Sequence, residues 1–254
     1  MKKTMLAFLA VGLLVATPSC KKGENDPFLS LKSRKARIAG DWLITGYDYD
    51  NTYTQADGDS GTDKAVMNGD VITFTNTFTS GGTTTTSTST TTVNEASYSF
   101  TKEGTFTAVW NTTNVSVSTN SGFTTTTTTT SKSATSGDWS FIGKQKKTYK
   151  NKERIVLNTL NDISSNQQTS VTVDDNGIFN DITNIGDLDV WEENYASGEV
   201  SESWELDMLK GKEMVAKMMS SNSGSQSNTP DGGSTTTTNN TVSESTTTIT
   251  FTAK

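Results

Sequence analysis

In the stretch Val200-Ser201-Glu202-Ser203-Trp204-Glu205-Leu206-Asp207-Met208, the apolar residues Val200, Trp204, Leu206 and Met208 alternate with Ser201, Ser203, Glu205 and Asp207. A period of two is the mark of a half-buried β-strand. The same period recurs on both sides of it. After Gly40, Trp42 and Ile44 alternate with Leu43, Thr45 and Tyr47; Ile72, Phe74 and Phe78 alternate with threonines; Tyr98 and Phe100 face Phe106, Ala108 and Trp110 across the turn Lys102-Glu103-Gly104. Trp139 and Phe141 begin another strand after Gly137-Asp138, Ile155 to Leu157 continue with Val171 and Val173, and Asp174-Asp175-Asn176-Gly177 reads as a hairpin turn. Leu209 to Lys212 turns into a Met-rich strand, Glu213 to Met219, and a polar loop, Ser220 to Ser234, precedes a final strand near Val242 to Ala253. About ten strands separated by turn signals predict an antiparallel sandwich or barrel.

Three segments are almost pure threonine and serine: Thr83 to Thr92, Thr124 to Thr130 and Thr235 to Thr238. β-Branching favours extended backbone, so these runs are expected to pair as strands, in long hairpins turning near Gly81-Gly82 and Asn120-Ser121-Gly122. With Thr on both faces they bury little and specify register weakly. A glycosylated stalk is the alternative reading.

The N-terminus adds a compartment. Lys2 and Lys3 precede an apolar stretch, Met5 to Ala16, too short to span a bilayer, and the single cysteine, Cys20, closes it. Residues 1–19 read as a signal peptide, Cys20 as a lipidation site, 20–27 as a lipidated tether, and 28–254 as one domain. Asp26 to Ile38 carries an Asp cap, a Pro at the first helical position and Phe28, Leu31 and Ile38 at helical spacing, predicting one short helix. Its basic run, Lys32, Arg34, Lys35 and Arg37, is either a solvated face or a clamp on acidic groups.

The chain has no histidine and a formal charge of -7. No imidazole base, Ser-His-Asp triad or His-containing zinc site is available, and a nucleic-acid partner is disfavoured. Neither an enzyme nor a cofactor is expected.

Gly40-Asp41-Trp42, opening the first strand after a short helix, resembles the Gly-x-Trp signature of lipocalins. The wider arrangement is similar to lipocalin-like lipoproteins of Bacteroidota type: the segment from Lys22 to Trp42, a Phe-x-x-x-Gly-Thr-Phe hairpin like Phe100 to Phe106, a second Gly-x-Trp at Gly137 to Trp139, and a late strand pair like Trp204 to Met218. The resemblance covers Cys20 to about Met219, and the Thr-rich runs match nothing in it. It implies an all-β, antiparallel, up-and-down barrel with a short N-terminal helix, lipid-anchored at the outer membrane and without enzymatic activity.

Candidate sites follow. Trp42 is expected to plug one end of the barrel. Trp191 and Tyr195, in an acidic stretch without alternation, read as an aromatic platform in a loop at the barrel mouth; Trp204, Leu206, Met208 and Met214 read as cavity walls. The expected partners are the membrane, through the N-terminal lipid, and a small apolar or amphipathic ligand, on a monomer. A surface structural or adhesive protein, whose Thr-rich hairpins meet a glycan or protein, is the alternative. Asp57, Asp59 and Asp63 alternate as in a calcium loop, but Asn68 stands where a bidentate Glu belongs, so a solvated turn is favoured over a metal site. Asp187, Asp189, Glu192 and Glu193 read as surface carboxylates.

Overall fold

The structure, a computed structural model, describes residues 33–143, 153–174, 182–228 and 237–254, with side chains throughout these ranges apart from 222–228 and 237–240. The leader, Cys20, the tether, the turn at 175–177 and residues 229–234 of the expected 220–234 loop lie outside the described residues.

One short helix, α1 (Arg34–Ile38), precedes β1 (Gly40–Gln55), β2 (Ser60–Asn68), β3 (Val71–Ser80), β4 (Thr83–Phe100), β5 (Thr105–Asn120), β6 (Phe123–Phe141), β7 (Arg154–Asp174), β8 (Ile182–Asn194), β9 (Val200–Leu209), β10 (Glu213–Asn228) and β11 (Thr237–Ala253). All pairings are antiparallel, and the sheet closes on itself where β6 meets β7 over nearly its whole length. Ten strands, β1 to β7 and β9 to β11, complete the ring, and β8 joins it through β7. The fold is the expected antiparallel β-barrel with a short helix and long Thr-rich hairpins.

The barrel is not a uniform cylinder. At one end Gly40 to Leu43 of β1 pair directly with Ser97 to Phe100 of β4, which bypasses β2 and β3 and leaves eight strands around the axis. An eight-stranded barrel is just narrow enough for side chains to fill. Higher up, β2 and β3 enter as a hairpin between β1 and β4 and widen the wall. On the opposite side β7 pairs with β9 from Arg154 to Thr159 and with β8 from Asn161 to Thr172, so β8 and β9 act as one strand interrupted by residues 195–199. Beyond Lys217, β10 pairs only with β11, and above Thr92 and Thr113, β4 and β5 separate. The wide end is therefore split by two seams.

Residue type explains the asymmetry. The narrow end holds the core: Trp42, Phe100, Phe106, Trp139, Trp204, Leu209, Met214 and Phe251 are buried. Trp204 stacks on Phe251 with centroids 5.8 Å apart, and Trp139 meets Phe100 edge-on at 5.7 Å. The wide end is held by hydroxyl pairs across strands, such as Thr79 with Thr84 at 2.8 Å and Thr125 with Thr172 at 2.9 Å. Such cross-strand pairs fix register where burial cannot. The Thr runs at 83–92 and 124–130 are strands, as expected, turning at Gly81-Gly82 and Ser121-Gly122, and Thr237 and Thr238 of the third run open β11.

Helix α1 plugs the narrow end. Ser33 caps it, its hydroxyl accepting from the Ala36 N–H at 3.1 Å; the Asp26 cap lies outside the described residues. Arg34 and Ile38 are buried, Arg37 donates to the Leu209 carbonyl, and the Trp42 indole donates to the Ile38 carbonyl at 2.7 Å. Part of the basic run, Arg34 and Arg37, is thus folded against the barrel end and is not a solvated face. Gly40 turns the chain from helix to strand at φ +146°, a conformation that a Cβ would strain.

Several expectations shift. The Asp187 to Tyr195 stretch is not a loop: β8 runs through it, and it lacked alternation because both its faces are exposed. The 220–228 stretch is strand, and the last strand begins at Thr237. Tyr47 faces inward, because Thr45 is an extra residue opposite Phe251 and Thr250 that reverses the alternation.

Candidate ligand cavity

Above the packed narrow end the lumen opens into a cavity of about 650 Å³. Its floor is Trp204 and Tyr98, whose rings meet edge-on at 5.1 Å. Tyr47 and Trp110, 6.1 Å apart, stand on the wall with Phe74, Ile72 and Met218; Thr91, Thr112, Ser133 and Thr247 form a hydroxyl rim. An apolar bowl with a few polar groups is the usual form of a small-molecule site. A second pocket of about 220 Å³ adjoins it, sharing Tyr98, Thr135 and Glu202 and adding Asp162 and Tyr195.

Each wall residue is where it is because of strand parity and the bulges that reset it. On β5, Ala108, Trp110 and Thr112 point inward without interruption. On β9, Glu202, Trp204 and Leu206 share the inner face, and the Trp204 indole donates to the Glu202 carboxylate at 3.1 Å. Asp207 is then an extra residue in the ladder with β10, so Leu209 continues the inner face and Met208 turns outward, opposite Val215.

The expected site residues divide accordingly. Trp204 forms the floor of the cavity. Leu206 and Met214 are buried beneath it, in the core and not in the lining. Met208 is not a wall residue, because of the bulge at Asp207. Trp191 is exposed on β8 and lines neither pocket; it and Tyr195 do not form a platform, for Tyr195 lies on the 195–199 excursion and lines the second pocket. The backbone N–H of Tyr195 donates to the Leu160 carbonyl at 2.9 Å and its hydroxyl donates to Glu193. Trp42 is buried at the plugged end, as its signature implied.

Burial of the phenol raises the pKa of Tyr98 well above the ordinary tyrosine value, with the Glu202 charge adding to it; burial does the same, more mildly, to Tyr47. The hydrogen bond to Glu193 pushes Tyr195 up to about 12. Both cavity phenols are therefore neutral and able to donate at physiological pH.

The other carboxylates are used locally. The Asp59 N–H donates to the Asp57 carboxylate at 3.1 Å, and Asp63 accepts from the Asn51 amide at 3.0 Å. Among the described residues no group of three or more potential ligands gathers around a cation position. Glu192 and Glu193, adjacent on β8, point to opposite faces, Glu192 accepting from Asn161 at 3.1 Å.

Trp110 and Met218 also line the cavity, and so do Tyr47, Phe74, Tyr98 and Glu202, which had not been singled out as site residues. Glu202 carried a readable signal: it has the parity of Trp204 and Leu206, a charge on the apolar face of its strand. The chain matches no protein-family model, no curated protein and no solved structure.

Proposed function

We propose that this protein is a lipid-anchored, lipocalin-like binding protein of the outer membrane, without enzymatic activity, that takes a small apolar or amphipathic molecule into the lumen above Trp204. The observation that carries this reading is the open, aromatic-lined cavity of about 650 Å³ over a packed, plugged end. An adventitious void in a core this rich in aromatics would be closed by side-chain repacking; here the ring of ten strands holds the walls apart.

The anchor follows from Cys20 and its leader. The intact mass of protein extracted from membranes tests this: the expected mass lacks residues 1–19 and carries acyl groups on Cys20, and a free thiol contradicts the anchor.

Ligand entry is tested with the neutral fluorophore phenylnaphthylamine. Wild type is expected to bind it with saturable enhancement, and Ala108→Trp, which fills the bowl beside Trp110, to lose at least about tenfold in affinity while keeping its β-sheet circular dichroism. Equal binding by both proteins would place the fluorophore outside the lumen.

One observation favours the second, adhesive reading. Val115, Val117, Ile185 and Leu188 are 55%, 63%, 65% and 58% exposed on the outer face of β5 to β8, more apolar surface than a solvated wall needs.

A further inference from the structure

The strand registers sort the charged residues of the wall by face. Lys64, Lys132, Lys217 and Arg154 all occupy outward positions, Lys64 paired with Asp50 at 2.8 Å and Lys217 with Asp207 at 3.2 Å. Glu202 and Asp162 occupy inward positions. Among the described strand residues no lysine or arginine faces the lumen, and the charged residues lining the two pockets are the carboxylates Glu202 and Asp162.

Glu202 sits where this matters most. It borders both pockets, its carboxylate is held by the Trp204 indole, and no cation of the described residues pairs with it. Beside it the Tyr98 hydroxyl has no hydrogen-bond partner among the described residues, although the ring is packed by Phe100, Trp204 and Phe251. A molecule that fills the bowl strips water from this carboxylate and this phenol. If neutral, it leaves a desolvated charge uncompensated, and if anionic, it adds repulsion. A cationic head group satisfies both, accepted by Glu202 and Tyr98 Oη, with the faces of Tyr47, Trp110 and Trp204 adding cation–π attraction.

Resting on the lumen-binding reading, we infer that the ligand is a cationic amphiphile: a protonated amine, or related cation, held at Glu202, on an apolar body lying against Phe74, Trp110 and Met218.

The test is displacement of phenylnaphthylamine from the whole protein by decylammonium, decanol and decyl sulfate, each below its micelle concentration. Decylammonium is expected to compete at concentrations at least about tenfold lower than decanol, with decyl sulfate weakest, and Glu202→Gln to remove about that tenfold preference, each competition being referred to the fluorophore affinity measured for the same protein. Glutamine keeps the shape of the side chain and an acceptor for Trp204, so the fold is retained. Equal competition by ammonium and alcohol, or an ammonium preference that survives Glu202→Gln, overturns the inference while lumen binding stands. Failure of the fluorophore itself to bind overturns both.

Discussion

Replacing Trp204 by alanine is expected to lower the stability of the barrel by about 3–5 kcal/mol, and its melting temperature by about 10 °C. Trp204 is fully buried at the centre of the aromatic floor. Its ring lies 5.1 Å from Tyr98, 5.8 Å from Phe251 and 6.5 Å from Phe100, so truncation strands three other rings at once. The β-ladders around it are closed and leave little room to collapse, which puts the cost at the upper end for a large-to-small change. Because domains of this kind retain only about 5–15 kcal/mol in total, much of the native margin is lost. Urea unfolding followed by circular dichroism measures it, with Trp204→Phe as the control that keeps a ring in the floor and is expected to cost less than half as much. A Trp204→Ala protein as stable as wild type would show that the floor is not the packed element described here.

Gly137→Ala is the second large effect, through the opposite mechanism. Gly137 has ordinary strand geometry, so conformational freedom is not the reason for a glycine there; space is. A Cβ at this position would stand 1.9 Å from the Asn158 carbonyl oxygen and 3.0 Å from the Phe106 ring. The crowding arises where the register of β6 and β7 shifts, Ser136 facing Asn161 and Gly137 facing Thr159, with Leu160 the extra residue. A backbone oxygen cannot swing aside as a side chain can, so the β6–β7 ladder must open locally. The expected loss is about 3 kcal/mol, the upper end of overpacking. Loss of hydrogen-exchange protection should centre on residues 155–159 and 137–141. Protection unchanged there, with the substitution tolerated, would mean that the register shift is misplaced.

These two positions also show how far the chain can be read without its structure. Period two located the strands, and the turn signals at Gly81-Gly82 and Gly104 located their hairpins, because alternation and left-handed turns are local properties written in consecutive residues. The bulges at Thr45, Asp207 and Leu160 are invisible to that reading, since an extra residue is defined only against the partner strand. Each bulge inverts the assignment of everything beyond it. That is why Tyr47 was placed outside and is inside, and why Met208 was placed inside and is outside. Around Trp191 the pattern fails for another reason: β8 is exposed on both faces, so burial imposes no period on its sequence. The cavity was legible only in part because it depends on how many strands surround the axis at each height. That number changes from eight to ten through pairings far apart in sequence.

Splitting the wide end by two seams has a dynamic consequence. The β5 to β8 sheet and the β10–β11–β1–β2–β3–β4 sheet share a common base, and among the described residues they are joined above it by side-chain contacts such as Asn114 donating to the Thr90 carbonyl at 2.8 Å. Backbone hydrogen bonds in the packed eight-stranded base are expected to open only with global unfolding and those of the Thr-rich extensions to open locally, which hydrogen exchange measures.

Co-crystals with bromodecane, read by bromine anomalous scattering, test the central proposal most directly. The expected result is one peak inside the lumen between Phe74, Tyr98 and Trp110, over the Trp204 floor. Peaks confined to the outer wall near Val115 and Leu188, with the lumen empty or filled by protein side chains, would contradict it and transfer the function to the hairpins.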